Sequence, residues 1–384
     1  MNVLISVANL ERGGQQRMAL LLAECLASEH NVFFLVFSGE YKYGKYVNPE
    51  RVTFIDINVG SEDFLIRKIF VVLKRVNIVR SIKKKYNIDI SVSFGETANI
   101  VNCLSKKKEK VITSIRGSMI LENGITPIDL LTFSRSDNTV FISHGQRNAY
   151  AEKAIRYKNK LKVIYNACDV ENIRKLSEEP VDEPFDEWTF VAVGRITAVK
   201  CFYNLINSFE IALRTFPQLR LYIIGGGDKK DELDKIVMTK GLSQSIMLIG
   251  DRNNPFAYMS KSRGLLNSSG RESFSNVVLE GLACGIPVIS TDCMFGPREI
   301  ISCDVEYNKI CDYQKCRYGI LTPKFDYHIG DQPERERIFA QAIICLLQNK
   351  ELEQEYRLKS SERCEFFSVK KYLHDWNSIL FNNH

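Results

Sequence analysis

The sequence predicts an α/β protein built from two doubly wound, parallel-sheet lobes. Three observations carry that prediction. A chain of 384 residues is long for one domain and suits two of roughly 180, each able to bury its own core. Short runs rich in β-branched and aromatic residues alternate with stretches of helical period, and the runs are apolar on both faces, as in parallel sheets covered by helices. The alternation pauses at RKLSEEPVDEPFDEW (174–188), where two prolines and six acids break any period.

In the first series the expected strands are NVLISV, NVFFLVF, TFIDIN, DISVSF, KVITSI, TVFIS and KLKVIY, with helices over about 15–28, 64–89 and 96–105. The second series reads TFVAVG, RLYIIGGG, IMLIG, GLLNSS, PVIST and YGILTP, with helices near 202–216, 229–240 and one opening near 275. Helical patterns near 334–348, 351–365 and 369–380 close the chain without a further strand. These readings place a first lobe at 1–175, a linker at 176–187, a second lobe at 188–366 and a closing helix at 367–384. Tandem lobes of this kind bind ligands where their strand carboxyl ends face each other, so a cleft between lobes is the expected site.

Composition narrows the class. With 45% apolar and 26% charged residues the chain reads as a soluble protein, and its longest apolar runs, such as VFFLVF, are far too short to span a membrane. The start, MNVLISVANLERGG, has no basic segment or small-residue cleavage site, so a cytoplasmic location is expected. Eleven scattered cysteines, never spaced as CxxC, fit a reducing compartment and give no metal framework.

The net charge of +6 is unevenly spread: residues 1–175 hold 27 Lys and Arg against 17 Asp and Glu (+10), leaving 25 against 29 (−4) beyond. Much of the excess lies in FLIRKIFVVLKRVNIVRSIKKKYNID (64–89). There, apolar residues at 65, 66, 69, 72, 73, 76, 79 and 82 follow helical spacing around Lys68, Lys74, Arg75, Arg80, Lys83, Lys84 and Lys85. Such a helix either lies on an anionic membrane surface or presents a solvated face above a parallel sheet. No feature points to nucleic acid.

Two loops carry phosphate-binding chemistry. In ANLERGGQQR, Gly13 and Gly14 precede a helix and let backbone N–H groups approach a phosphate, although a tight turn would need the same residues. In VAVGRITAVK, Arg195 follows a strand end and Lys200 comes five residues later. Fork and point charge together suit a diphosphate, against the alternative of two unrelated surface cations. The GGG of YIIGGGDKKDEL reads as structural.

ESFSNVVLE (272–280) sets Glu272 and Glu280 eight residues apart. On a helix that offset is about 12 Å of rise, too far for the roughly 5 Å acid and nucleophile pair of a retaining glycosidase. It matches instead the span from a hexose to a ribose. Between the two glutamates the N–H groups of Phe274, Ser275, Asn276 and Val277 would sit at the positive end of the helix, with Ser273 or Ser275 as N-cap. The apolar, glycine-rich flanks NSSG and GLACGIPVIS imply a buried junction rather than a free surface.

Taken together these residues resemble the retaining glycosyltransferases of sequence family 4, which have the two-lobed GT-B fold, over nearly the whole chain. SSGRESFSNVVLEGLACGIPVISTDCMFGPREII (268–301) is similar to the family's E-x7-E region and following strand. GRITAVK resembles its phosphate element and RGGQQR its glycine loop, while VIYNACDVENI resembles its P-N-x-x-D element. SVSFGETANIVNCL and ITSIRGS resemble first-lobe segments of members that extend bacterial surface polysaccharides, and SVKKYLHDWNSIL the helix that packs back on the first lobe.

The resemblance implies that Glu272 contacts the donor sugar, Glu280 the ribose, Arg195 and Lys200 the diphosphate, Gly14 its opposite side and Asn253 the base. Three departures stand out. Ser273 and Cys201 occupy positions where glycine is usual, and SIRGS lacks the first-lobe His of many members, leaving Arg116 there and His144 of FISHGQR as acceptor-side candidates. His144, a helix-start residue with no motif around it, reads first as structural.

No D-x-D occurs in the sequence, so no metal or other cofactor is expected; Arg195, Lys200 and helix N–H groups would stabilise the departing nucleoside diphosphate. The resemblance implies front-face transfer, with retention, of a hexose or N-acetylhexosamine from a nucleotide sugar, a UDP-sugar foremost. The acceptor would be lipid-linked or a saccharide in O-antigen, capsule or exopolysaccharide assembly, at the inner face of the plasma membrane, with the basic first lobe docked there. The rival from another class is a non-catalytic GT-B scaffold subunit of a transferase complex. A dehydrogenase is disfavoured because neither lobe opens with GxGxxG, and a sugar-nucleotide epimerase shares the architecture.

Overall fold

A computed structural model describes residues 1–10, 13–38, 48, 50–60, 65–117, 124–306 and 308–381. The chain forms two compact units, Met1–Asn166 with Lys370–His384, and Ala167–Val369.

The first unit holds a seven-stranded sheet: β1 (Asn2–Val7), β2 (Asn31–Val36), β3 (Val52–Asp56), β4 (Ile90–Phe94), β5 (Lys110–Ile115), β6 (Asn138–Phe141) and β7 (Leu161–Val163). Their order is β3-β2-β1-β4-β5-β6-β7, and every pairing is parallel. Apolar runs become strands because both faces are covered: all five residues of β4 are buried. Leu4, Leu35, Phe37, Val76, Val79 and Val101 pack into one cluster, each such side chain contributing about 1.5–3 kcal/mol on burial. The strand order reverses between β1 and β4, which opens a crevice at their carboxyl ends.

The closing helix, Val369–Leu380, contributes its residues from Lys370 onward to this unit. The Tyr372 hydroxyl donates to the Met18 carbonyl (3.0 Å), and the buried Trp376 ring lies 5.7 Å from that of Phe94. The helix Pro127–Arg135 was not expected. Its signal was present in T-P-x-D: Thr126 and Asp129 form a reciprocal capping box with proline at the first turn.

The basic helix runs Leu65–Lys85, shorter than 64–89, and the chain leaves it through Asn87 at φ +46°; Phe64 lies outside the described residues. Two of its eight cations are not on a surface. Arg75 is buried and donates to the Val59 carbonyl, and Lys83 pairs with Glu109 at 2.7 Å, the side chains only 1% and 2% exposed. Val76 and Val79 enter the core, whereas Ile69, Phe70 and Leu73 are exposed. Helical spacing identified the helix but not which half of it is covered.

The second unit holds β8 (Thr189–Val193), β9 (Arg220–Ile224), β10 (Ile246–Gly250), β11 (Gly264–Asn267), β12 (Val288–Asp292), β13 (Gln314–Cys316) and β14 (Gly319–Pro323). The order is β10-β9-β8-β11-β12-β14-β13, parallel except for the β13 and β14 hairpin. β13, absent from the sequence reading, is a short, largely exposed edge strand with no apolar period to reveal it. Phe190, Leu205, Phe209, Leu221, Phe339 and Tyr356 belong to the core.

The expected linker is part of this unit, which begins at Ala167 rather than 188. Residues 170–177 form a helix, and Asn254 donates to the Leu176 carbonyl (2.8 Å). Tyr222 donates to the Pro184 carbonyl (2.7 Å), and Arg252 pairs with Glu183. The acidic, proline-rich composition suggested a solvated tether; partners distant in sequence fasten it instead.

Candidate functional site

In the second unit the strand order reverses between β8 and β11, so their carboxyl ends frame the crevice where a doubly wound sheet binds ligands. Arg195, Lys200 and Glu272 lie on the segments that follow these two strands.

After β8 the chain passes through Gly194 and Arg195 into a short 3-10 turn, Ala198–Lys200. This loop lies against the backbone of the glycine turn after β9. The Ile196 N–H donates to the Gly226 carbonyl (2.7 Å), and a Cβ on Gly227 would stand 2.2 Å from the Ile196 carbonyl oxygen. The GGG is therefore structural. Cys201 ends the turn in the left-handed region (φ +50°, ψ +34°), so the position favours glycine and a buried cysteine occupies it at some strain.

The loop after β11 is fastened to the same turn. Ser268 Oγ donates to the Lys200 carbonyl (2.7 Å) and the Gly270 N–H to that of Val199 (2.8 Å). Glu272 Oε1 receives Lys200 Nζ at 2.6 Å and Ser269 Oγ at 2.8 Å. Both members of the ion pair remain partly accessible, Lys200 at 22% and Glu272 at 15%. Arg195 is exposed and makes no hydrogen bond or ion pair with a described residue. A cation and an oriented carboxylate thus meet at the switch point, with Arg195 earlier on the same loop as Lys200. The sequence reading did not single out Ser269, although it lies within the quoted NSSG.

The following helix spans Asn276–Ala283. Ser275 is the N-cap, but in the left-handed region (φ +74°, ψ +75°) and with no side-chain capping bond; its hydroxyl is buried without a partner. Ser273, where glycine is usual, is not among the residues of positive φ. The helix's first turn carries no acid, leaving its positive end without a nearby carboxylate on that turn. Only the steps from Asn276 to Glu280 are helical, about 6 Å of rise, so the loop sets the rest of the offset between the glutamates.

Gly296 fixes the loop: at φ +75°, its Cβ would fall 1.9 Å from the Phe274 carbonyl oxygen. Phe274 is a core residue whose ring meets Phe367 edge-on, so only its backbone can serve a ligand. Asn276, Val277 and Glu280 are half-buried. Asn253 is exposed on the loop after β10, while its neighbour Asn254 caps the helix Pro255–Lys261 by accepting from Phe256 N–H (3.1 Å).

Burial governs the other ionisable groups. It pushes the Cys201 thiol up to about 12 and raises Cys293 well above its ordinary value, so neither offers a thiolate beside Glu272. Asp292, at the end of β12, is buried and held by Arg298, whose Nε donates to Oδ1 at 3.1 Å. Burial raises its carboxyl despite that partner, and the ion pair commits the group to structure.

The first unit places its candidates at strand carboxyl ends as well. Gly13 is the extended N-cap of the helix Gly14–Leu26, with Glu11 and Arg12 outside the described residues. Arg116 follows β5, buried, its guanidinium 4.6 Å from the Phe94 ring centroid and bonded to Asn166. Burial lowers its pKa. His144 opens the helix His144–Lys153, capped by Ser143, and lies 5.7 Å from the Tyr165 ring.

Residues 174–317, which include Arg195, Lys200, Glu272 and Glu280, match the family model described as glycosyl transferases group 1. An N-acetylgalactosamine-N,N'-diacetylbacillosaminyl-diphospho-undecaprenol 4-alpha-N-acetylgalactosaminyltransferase of Campylobacter jejuni is 25% identical over 386 residues, covering 97% of each chain. An uncharacterized glycosyltransferase of Methanocaldococcus jannaschii is 27% identical over 340 residues, or 81% of this chain and 84% of its own. The structure of Anabaena HepE in complex with UDP and glucose superposes with a TM-score of 0.74 over 99% of both chains, at 16% identity. The fold is GT-B. The family model and the relatives support a group 1 glycosyltransferase.

Proposed function

We propose that the chain is a retaining, family 4 glycosyltransferase. It moves a hexose or N-acetylhexosamine from a UDP-sugar to a lipid-linked or saccharide acceptor in surface polysaccharide assembly. The observation that carries this reading is the joining of Lys200 Nζ to Glu272 Oε1 at 2.6 Å, at the switch point of the second sheet. Support comes from the Campylobacter jejuni relative, named for transfer to a diphospho-undecaprenol saccharide, and from HepE, which holds UDP and glucose.

In this reading Lys200 and Arg195 grip the diphosphate, and backbone N–H groups at Ser275, Asn276 and Val277 add the positive helix end. Negative charge grows on the leaving nucleoside diphosphate as the anomeric bond breaks, and these fixed positive groups stabilise it without a metal ion. Glu272 binds sugar hydroxyls, held in orientation by Lys200 and Ser269. Glu280 binds the ribose and Asn253 the base. The acceptor hydroxyl attacks from the face the leaving group departs, which retains configuration.

The first unit receives the acceptor near Arg116 and His144, and the surface cations of helix Leu65–Lys85, among them Lys68 and Lys74, meet anionic lipid head groups. Among the described residues no helix is long and apolar enough to cross a membrane. The test is transfer from UDP-sugars by Glu272→Ala and Lys200→Ala variants whose circular dichroism matches that of the parent. Transfer should be abolished in both; near-normal turnover in either overturns the site.

A further inference from the structure

The first unit carries a second concavity, at the edge of its sheet, that donor binding does not use. It is a basin of about 460 Å³ lined by His144, Arg147, Lys158 and Lys162, with Leu161 and Val163 as a carbon wall. His144 follows the end of β6, Lys158 lies in the turn that precedes β7, and Leu161 and Val163 belong to β7 itself, so the basin runs along this edge strand.

Three permanent cations line it and no acid does. Arg147 is held by neutral partners, with Nη1 donating to Asn148 Oδ1 (2.9 Å). The ammonium groups of Lys158 and Lys162 make no hydrogen bond or ion pair with a described residue. Lys160, between them, points elsewhere and is committed: its Nζ donates to the carbonyls of Phe133 (3.2 Å) and Ser136 (2.8 Å). Like charges gathered without a counter-charge repel one another, and an anionic ligand relieves that repulsion. The volume exceeds what one phosphate fills and suits part of a small organic molecule. Leu161 and Val163 supply a surface for its carbon.

We propose that this basin holds the phosphate groups of the acceptor, so that the acceptor class is a saccharide carried on a diphosphate. That this ligand is an acceptor rests on the transferase reading above, whereas its anionic character rests on the lining side chains alone.

The test begins with calorimetric titration of inorganic pyrophosphate, in excess UDP, into the parent protein and a K158E/K162E variant. Lys158 is exposed and Lys162 half-buried, so the variant should fold, as checked by circular dichroism. Losing two charge-assisted contacts should weaken pyrophosphate binding on the order of tenfold or more; equal affinity in the two proteins overturns the site. If no sugar is transferred under any condition, the transferase reading fails while this titration still decides the anion site.

Transfer to a diphosphate-linked saccharide is then compared with transfer to the same saccharide lacking the diphosphate. The parent should show the lower KM for the diphosphate form, and the variant should lose that advantage while keeping kcat. Weakened pyrophosphate binding with the advantage intact makes free phosphate the ligand and overturns the acceptor assignment. So does an intact advantage with lost sedimentation on phosphatidylglycerol and phosphatidylcholine vesicles, which makes lipid head groups the ligand.

Discussion

Ser275 offers the sharpest quantitative test of the local structure. It holds φ +74° and ψ +75° at the start of helix Asn276–Ala283, is only 5% exposed, and its hydroxyl has no hydrogen-bond partner. An L-residue in the left-handed region costs roughly 1–2 kcal/mol, and a buried, unpaired hydroxyl costs about 1–3 kcal/mol. Ser275→Gly removes both penalties and returns about 0.5–1 kcal/mol through the larger entropy of glycine in the unfolded chain. The net gain should be about 1–4.5 kcal/mol. For a unit of roughly 200 residues each kcal/mol moves Tm by about 2–4 °C, so the second unit should melt about 2–18 °C higher by scanning calorimetry. Ser275→Ala removes the hydroxyl but keeps the strained backbone, and it should gain less than glycine does. If Ser275→Gly melts at or below the parent, the argument from strain and the unpaired hydroxyl is wrong.

Other substitutions probe packing in both units. Lys83→Met leaves Glu109 charged in a site 2% exposed, and urea denaturation should show a loss of about 3–5 kcal/mol; pairing it with Glu109→Leu should recover most of that. A double variant no better than the single one would refute a burial penalty. Gly296→Ala drives a Cβ to within 1.9 Å of the Phe274 carbonyl oxygen at φ +75°, so the variant should express poorly or melt far below the parent. An unchanged melting curve would contradict that close approach. Trp376→Ala empties a fully buried site against Phe94 and should cost the first unit about 3–5 kcal/mol, with loss of near-ultraviolet dichroism as the closing helix loosens. Retention of both signals would mean the helix is not anchored through that ring.

The parallel strands of both sheets were legible because each is buried on both faces, and a continuous apolar run records that burial locally. The same holds for the long helices, whose period is written within three or four turns. Glu272, Lys200 and Arg195 could be named because residue types at strand ends carry charge chemistry that little else there explains. The sequence by itself thus determined the α/β class, the two series of strands and the residues around the second switch point.

Tertiary structure decided whatever depends on partners distant in the chain. Lys200 and Glu272 are 72 residues apart, and no period announces their bond or the part played by Ser269. Arg75 and Lys83 share a helix with exposed cations, yet the Val59 carbonyl and Glu109 draw them inside. The acidic stretch that read as a tether is fastened by Arg252, Tyr222 and Asn254. Local spacing fixes which face of a segment is apolar. Whether that face, or a charge on it, meets a partner or water depends on chain that arrives from elsewhere, and that is settled only by packing.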